Sequence, residues 1–201
     1  MKALDRADPE IVRYMLESRV LGLMSNDEQN GQTEALRFID SALERYGPES
    51  VGPVVLAHAY GFSGRTEEAF TLIEAARAAD PSDTPALLVH ASLLHREERY
   101  KEQAEVLREA ITHHPDKASF HAMLASVGDE GISEKAMKFH YERALELEPD
   151  GHDAHIAGVA VWKRLGDPEK TEYHRDFLRR NHPEAYKRLA ADEAAEAAEA
   201  E

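Results

Sequence analysis

The amino-acid sequence predicts an all-α protein built from stacked helix-turn-helix repeats. Small residues recur at matched positions along the chain, and no segment shows the strict apolar–polar alternation that predicts β-strands. The strongest observation is a period, because five prolines follow one another at nearly equal intervals: Pro48, Pro81, Pro115, Pro149 and Pro183. A period of about 34 residues is typical of repeat folds, in which neighbouring repeats bury one another's apolar faces.

Small residues recur at two matched positions in each interval between prolines. Helix axes approach to about 8–10 Å only where the side chains between them allow it, so such positions mark helix crossings. The sequence therefore predicts two packed helices in each interval, of which the first is called helix A and the second helix B. The crossing residues are Ala57, Ala91, Ala125 and Val159 (beside Gly158) in helix A, and Ala76, Ala110, Ala144 and Leu178 in helix B.

The residues between the prolines resemble the tetratricopeptide repeat, a helix-turn-helix motif of about 34 residues. In the first clear repeat the resemblance is carried by Leu56, Ala57, Tyr60, Ala69, Ile73, Ala76 and Pro81. The segment Tyr141–Pro149 looks like the family's helix B ending, whereas Gln103 and Thr171 stand where the family usually has alanine. The resemblance implies a right-handed α-solenoid with a C-terminal capping helix, in which helix A of each repeat lines a concave surface.

The elements follow from this register in chain order. A divergent N-terminal helix pair, 8–48, is expected to hold helices over 10–24 and 33–46, with the polar loop Ser25–Gly31 between them. The four repeats cover 50–81, 84–115, 118–149 and 152–183. A closing helix over 184–189 completes a solenoid that spans 1–189. The last segment, 190–201, is an acidic tail of Ala and Glu, which favour a fraying, solvated helix.

Glycines mark the predicted corner between helix A and helix B in three of the four repeats. These corners are Gly61–Gly64, Gly128–Gly131 and Gly166–Pro168. In the last of them Asp167 is expected to cap helix B. The corner Arg96–Arg99 has no glycine, so its turn is not defined by the local sequence. Each proline of the period is expected to end helix B, because proline lacks an amide donor and restricts the residue before it.

The composition excludes several classes of protein. A formal net charge of −15 is the reverse of the Lys- and Arg-rich surface of nucleic-acid-binding proteins, so no nucleic-acid partner is expected. No run of about eighteen apolar residues is present, and Met1–Glu10 has no apolar signal core, so neither membrane insertion nor secretion is expected. The chain has no cysteine, which is compatible with a cytoplasmic location. The acidity favours solubility; adaptation to high salt and a docking role for the acidic tail are the alternatives.

No catalytic or metal-binding constellation is found in the sequence. The chain has eleven histidines, among them the neighbours His113 and His114 and the pair His152 and His155, which are three residues apart. A metal site needs three or four converging ligands, and two histidines on one helix supply at most half of them. No phosphate-binding loop, nucleophile elbow or metalloprotease motif appears. We therefore expect no metal, no cofactor and no enzymatic activity.

The predicted concave surface is the candidate binding site. An extended peptide or a helix of a protein partner fits such a surface. Arg96, Lys163 and Arg164, with two of the histidines, form the cationic group on this face, which suits a partner segment with carboxylates. The predicted lining residues are Val54, His58, Phe62, Leu88, Ser92, His95, Arg96, Ser126, Ile156, Lys163 and Arg164. The alternative for each of them is that it only packs between helices.

The sequence favours a non-enzymatic protein-interaction scaffold over two alternatives. One alternative is a dedicated chaperone for a secreted or assembling subunit, and the other is a regulatory subunit of an enzyme complex. A scaffold should assemble several folded proteins, whereas a chaperone should hold one client that is insoluble alone. Some relatives hold the carboxylate tail of heat-shock chaperones with lysine, asparagine and arginine; the matching positions here, Val54, His58, Val89, Ser119 and Met123, do not carry that clamp.

The sequence leaves the oligomeric state open. The predicted N-terminal helix carries Ile11, Tyr14, Met15 and Leu16. These side chains suit packing on the chain's own repeats, and they suit packing in a dimer as well.

Overall fold

The computed structural model describes residues 9–24, 28–127 and 131–199, and within these ranges the chain forms eleven α-helices and no strand. Residues 1–8 and 200–201, the loop residues 25–27 and the corner residues 128–130 lie outside them. The helices are α1 (Pro9–Met24), α2 (Glu28–Tyr46), α3 (Pro53–Phe62), α4 (Thr66–Ala79), α5 (Thr84–Arg96), α6 (Tyr100–His113), α7 (Ala118–Ala125), α8 (Glu134–Leu147), α9 (His152–Arg164), α10 (Pro168–Asn181) and α11 (Pro183–Glu199). A 3-10 turn, Pro48–Ser50, follows α2.

The helices fall into two compact units, which divide between Glu97 and Glu98. In the N-terminal unit α1 packs on α2, α3 packs on α4, and α5 contacts both α3 and α4. Its core is built from small and branched apolar side chains at the helix crossings, among them Val20, Ala35, Ile39, Ala57, Ala69, Ile73, Leu87 and Ala91. Two of the predicted crossing residues, Ala57 and Ala91, are completely buried there.

In the C-terminal unit each helix packs on its neighbour in sequence, from α6 against α7 to α10 against α11, and α7 also contacts α9. The buried side chains include Leu107, Ala110, Phe120, Leu124, Met137, Ala144, Val161 and Leu178. Gly158 lies where α9 meets α10, and a Cβ placed on it would be 2.7 Å from the ring of His174. The residues predicted at the crossings are buried, apart from Ala76, which is half-buried.

Each helix B ends as the period predicts. The residue before each proline closes the helix with its own amide, which donates to the crossing residue four positions earlier: Asp80 to Ala76, His114 to Ala110, Glu148 to Ala144 and His182 to Leu178, at 2.8–3.0 Å. The prolines Pro81, Pro115 and Pro149 then lie in the turn, whereas Pro183 begins the next helix.

Glycine forms the corner in two of the repeats. Gly64 has φ +78° and Gly166 has φ +69°. In each case the following amide donates to a carbonyl five residues back, from Arg65 to Tyr60 at 3.0 Å and from Asp167 to Trp162 at 2.9 Å. This is the hydrogen bond of the Schellman motif, which requires a left-handed residue just after the helix.

The glycine-free corner uses the same backbone conformation. Glu98 has φ +55°, and it occupies the position of Gly64 one repeat later. A side chain in the left-handed region carries steric cost, which glycine avoids. The corner Arg96–Arg99 therefore has a left-handed residue at the same position as the other two corners, without glycine.

One predicted boundary differs from the structure. Helix α2 begins at Glu28, five residues before the predicted start, and so includes Gly31, which was expected in the loop. Gly31 packs closely on α1, since a Cβ on it would be 2.2 Å from the Leu23 carbonyl oxygen. Helix α11 continues from the closing segment to Glu199, so the tail is helical over 190–199, as its Ala- and Glu-rich sequence favours.

Candidate partner-binding faces

Helices α3 and α5 of the N-terminal unit present one continuous face, which we call the α3–α5 face. Val54, His58 and Phe62 lie four residues apart along α3, and Leu88, Ser92 and Arg96 repeat this spacing at the matched positions of α5, one repeat later. Four-residue spacing places side chains on one side of a helix. Five of these side chains are half-buried, and the sixth, Arg96, is exposed. The face therefore combines apolar surface with polar groups that solvent reaches.

The two helices meet closely beneath this face because Gly61 has no side chain. A Cβ on Gly61 would be 2.1 Å from Cδ2 of Leu93, so any other residue there would displace the Leu93 side chain. On the other side of α5 the ring of His90 is buried, and its Nδ1 accepts a hydrogen bond from Nη1 of Arg77 at 2.7 Å.

Phe62 is the aromatic centre of the α3–α5 face. Its ring meets the ring of His58 edge-on, with centroids 5.1 Å apart, and the guanidinium of Arg96 lies 4.3 Å from its centroid. Burial, and then the charge of Arg96, lower the pKa of His58 below its ordinary value. His58 is therefore neutral at pH 7, which leaves Arg96 as the cation beside Phe62. His95, the remaining predicted residue of this helix, is exposed in the last turn of α5.

The predicted residues of the C-terminal unit are engaged within the chain to different degrees. Ile156 is half-buried on α9, and the hydroxyl of Ser126 donates to the carbonyl of Ala122 at 3.0 Å. Lys163 lies 3.4 Å from a carboxylate oxygen of Glu193 on α11. Arg164 donates to the carbonyl oxygens of Val127 and Ile132, at 3.2 and 3.4 Å. The guanidinium of Arg164 thus connects α9 to Val127, which follows α7, and to Ile132, which precedes α8.

The sequence analysis missed a pair of buried histidines in the last repeat. Nδ1 of His155 on α9 lies 3.0 Å from Nδ1 of His174 on α10. Nε2 of His155 lies 3.0 Å from the carbonyl oxygen of Pro149, so this nitrogen donates and Nδ1 accepts. His174 therefore donates through Nδ1, and its Nε2 accepts from the hydroxyl of Tyr141 at 2.8 Å.

The preceding repeat contains the same pair. Nδ1 of His121 on α7 lies 3.0 Å from Nδ1 of His140 on α8, and Nε2 of His121 lies 3.1 Å from the carbonyl oxygen of Pro115. Each of these residues stands one repeat before its counterpart. That spacing was the available signal, because a polar residue repeated in the register of a buried crossing predicts an internal hydrogen bond.

Two of these histidines, His174 and His140, are neutral at physiological pH because their pKa values are well below the ordinary value. Burial, with a smaller contribution from the facing His155, lowers the pKa of His174 to about 4. Burial, and then His121 and Arg108, lower the pKa of His140 to about 4 as well. Burial also lowers the pKa of His155. Among the described residues, no three histidine or carboxylate side chains converge to hold a metal ion.

None of the helices in the described ranges has the length and apolarity needed to cross a membrane.

Comparison with known proteins decides the fold. No protein-family model matches the chain, and no curated protein does. Among solved structures, TTC0263, a TPR protein of Thermus thermophilus, is similar over 92% of this chain and 98% of its own, with a TM-score of 0.71 and 16% identity. The chain has the tetratricopeptide-repeat fold.

Two further solved structures have this fold in common with the chain. MamA from Desulfovibrio magneticus RS-1, residues 41 to the end, is similar over 92% of this chain and 97% of its own (TM-score 0.57, 17% identity). PilF of Pseudomonas aeruginosa is similar over 92% of this chain and 99% of its own (TM-score 0.57, 16% identity). In the tetratricopeptide-repeat register, α3, α5, α7 and α9 are the A helices, so the α3–α5 face joins the A helices of two successive repeats.

Proposed function

We propose that this protein is a non-enzymatic scaffold that binds a protein partner, and that the α3–α5 face holds an extended segment or a helix of that partner. The observation that carries the proposal is the matched pair of stripes on α3 and α5. Their apolar members, Val54, Phe62 and Leu88, remain half-buried where they would be fully covered in a core. Neighbouring helices that present such a face form a shallow site of the kind that peptide-binding folds use.

The polar groups on this face suit a partner segment that carries a carboxylate. Arg96 is exposed, always charged and placed over Phe62 at 4.3 Å, so its guanidinium is oriented before a partner arrives. His58 is neutral beside it, so it adds hydrogen-bonding capacity without a second charge. Apolar side chains of the partner would cover Val54 and Leu88. A carboxylate at the Phe62 end would pair with Arg96.

The predicted residues of the C-terminal unit take a smaller part in this proposal. Ser126 and Ile156 offer half-buried surface on α7 and α9, and we include them in partner binding. Lys163 already lies near Glu193, and Arg164 is held by two backbone carbonyls. A partner would have to compete with these contacts, so we expect Arg96 to contribute more to binding than either. The absence of cysteine suits a reducing compartment, and we propose that the protein acts in the cytoplasm.

Site-specific photo-cross-linking tests this function. A photoreactive phenylalanine analogue at Ser92, at the centre of the α3–α5 face, should capture a protein partner in cells that make this chain. The same analogue at Thr71, exposed on α4 of the same unit, is the matched control. Mass spectrometry of the adduct identifies the partner and the segment of it that touches the face.

A charge reversal then tests the role of the guanidinium. Arg96→Glu should abolish capture from position 92, because it places an acid where the proposal needs a cation. Arg37→Glu, at an exposed position on α2, makes the same change of charge away from the face and should leave capture intact. Capture that is equal from positions 92 and 71, or that is unchanged in Arg96→Glu, contradicts the proposed site.

A further inference from the structure

Helix α1 has apolar side chains on two opposite sides. Val12, Leu16, Val20 and Leu23 are buried against the rest of the N-terminal unit, where α1 contacts α2 and α3. On the other side Tyr14 is 71% exposed, Met15 49% and Leu21 47%. These three are among the five large apolar side chains that stand out as exposed in the described part of the chain. Packing among the described residues of the N-terminal unit explains the first set of side chains and does not cover the second.

Two small exposed residues, Ser18 and Gly22, complete this outer face, which we call the outer α1 face (Tyr14, Met15, Ser18, Leu21 and Gly22). Gly22 stands inside the helix, where glycine is about 1 kcal/mol less favourable than alanine. A Cβ built on it meets no heavy atom within 4 Å beyond its chain neighbours and the adjacent backbone of its own helix. By contrast, a Cβ on Gly31, Gly61 or Gly158 would have a neighbouring atom within 2.7 Å. Close packing within the described chain therefore does not explain the glycine at position 22.

We propose that the outer α1 face binds the same face of a second copy of this chain, as an antiparallel helix pair about a two-fold axis at Ser18. In that pairing residue i lies opposite residue 36 − i of the partner. Tyr14 lies opposite Gly22, Met15 opposite Leu21, and Ser18 opposite its own copy. Each large side chain thus meets a gap or another apolar group, and Gly22 provides the recess for Tyr14. Self-complementarity of this kind is what a two-fold interface requires.

Charge favours a second copy on this helix. The chain carries a net charge of −15, so two copies repel each other across most of their surfaces. The charged residues of α1 are Glu10, Arg13, Glu17 and Arg19, and they sum to zero. An approach along α1 therefore avoids the repulsion that the acidic remainder of the chain imposes.

Sedimentation equilibrium over a wide range of concentration tests the proposal. The wild-type mass should rise from 22.5 kDa towards twice that value as concentration increases. Tyr14→Glu with Leu21→Glu should remain monomeric at concentrations at least about a hundredfold above the wild-type midpoint, because two carboxylates per copy would be buried at the interface. Tyr173→Glu, at a 63% exposed position on α10, is the control and should dimerise like the wild type.

Gly22→Ala separates a role in packing from one in folding. Alanine favours the helix itself, yet its methyl group would fill the recess for Tyr14 and should weaken the dimer about tenfold. Circular dichroism and thermal melting show whether each variant keeps its helices.

Cross-linking tests the register, because the chain has no cysteine of its own. Ser18→Cys places one thiol beside its own copy and should form a disulfide-linked dimer under mild oxidation. Arg37→Cys, exposed on α2, should cross-link far more slowly.

Three results would overturn the proposal. They are a wild-type chain that stays monomeric throughout, a dimer that survives the two glutamates, and cross-linking at position 18 no faster than at position 37. A monomeric chain whose stability falls in Tyr14→Glu with Leu21→Glu would instead assign the outer α1 face to a segment of the same chain.

Discussion

The Nδ1 atoms of His155 and His174 face each other at 3.0 Å across the helix pair of the last repeat. This contact joins a chain of hydrogen bonds from the hydroxyl of Tyr141, through both rings, to the carbonyl of Pro149. Phe177 stacks on the His155 ring, with centroids 3.5 Å apart. The network satisfies every ring nitrogen only while both imidazoles are neutral.

Acid should therefore destabilise the fold through His174. Well above pH 6.5, His174 is neutral in both the folded and the unfolded chain. The stability that its hydrogen bonds contribute is therefore fully present. As the pH falls below 6.5, His174 becomes protonated in the unfolded chain, whereas in the folded chain it stays neutral down to about pH 4, its lowered pKa. The free energy of unfolding therefore falls over this pH range. Each pKa unit is worth about 1.4 kcal/mol, so His174 alone should remove about 2 kcal/mol between pH 6.5 and pH 5.

Urea unfolding of the wild type and of His174→Gln at about pH 7.5 and about pH 5 measures this effect. Glutamine accepts from Tyr141 but does not titrate, so the variant should lose less free energy of unfolding on acidification. Equal losses in the two proteins would assign the acid sensitivity to other groups, among them His140.

Gly158→Ala should destabilise the last repeat because the new methyl group would lie 2.7 Å from the ring of His174. Overpacking costs about 1–3 kcal/mol, whereas the gain in helix propensity is about 1 kcal/mol, so we expect a net loss of up to about 2 kcal/mol. The free energies of unfolding of Gly158→Ala, His174→Ala and the double variant form a test cycle. Alanine at 158 should be harmless once the imidazole is absent; additive effects would show that the ring is not the obstacle.

Glu98→Gly should stabilise the protein by about 1 kcal/mol, because glycine adopts the observed φ of +55° without the steric cost of a side chain. Glu97→Gly makes the same change one residue earlier, where φ is −87° and glycine brings only added flexibility. That control should lower stability. Thermal melting compares both variants with the wild type. A melting temperature of Glu98→Gly below that of the wild type would be inconsistent with a left-handed conformation at this position.

Arg164→Met should weaken the attachment of α9 to Val127 and Ile132, because it removes the hydrogen bonds to these two carbonyls. A hydrogen bond from a charged group contributes about 1.5–3 kcal/mol when partly buried, so a loss of about 2 kcal/mol is expected. Arg180→Met, which removes only an exposed ion pair with Asp176, should cost less than about 0.5 kcal/mol. Urea denaturation measures the free energy of unfolding of both variants. Equal losses would mean that the hydrogen bonds of Arg164 to Val127 and Ile132 do not stabilise the fold.

Much of the fold could be predicted from the sequence because its determinants recur with the period of the prolines. The prolines mark the helix ends, and small residues such as Ala57 and Ala91 mark the helix crossings. Because both recur in every repeat, each repeat predicts the same pair of helices. The start of α2 was wrong because Gly31 was taken as a loop residue. Its function is close packing against α1, which depends on a neighbour in space.

The site was harder to predict because a side chain's partners are set by the packed fold. The stripe positions on α3 and α5 follow from the register, so Val54 and Leu88 could be named in advance. Arg164 was placed beside Arg96 from the register and its charge, although its guanidinium binds the backbone carbonyls of Val127 and Ile132. The histidine pairs were missed because their members, such as His155 and His174, lie in different helices, and only their common spacing of one repeat linked the two pairs.

Hydrogen exchange on the chain, alone and bound to the partner segment that cross-linking identifies, tests the central claim most directly. The account predicts added amide protection in Val54–Phe62 and Leu88–Arg96, with Thr66–Ala79 on the opposite side of the same unit unchanged. Protection confined to α8 and α10, where Phe139 and Tyr173 are exposed, would contradict it.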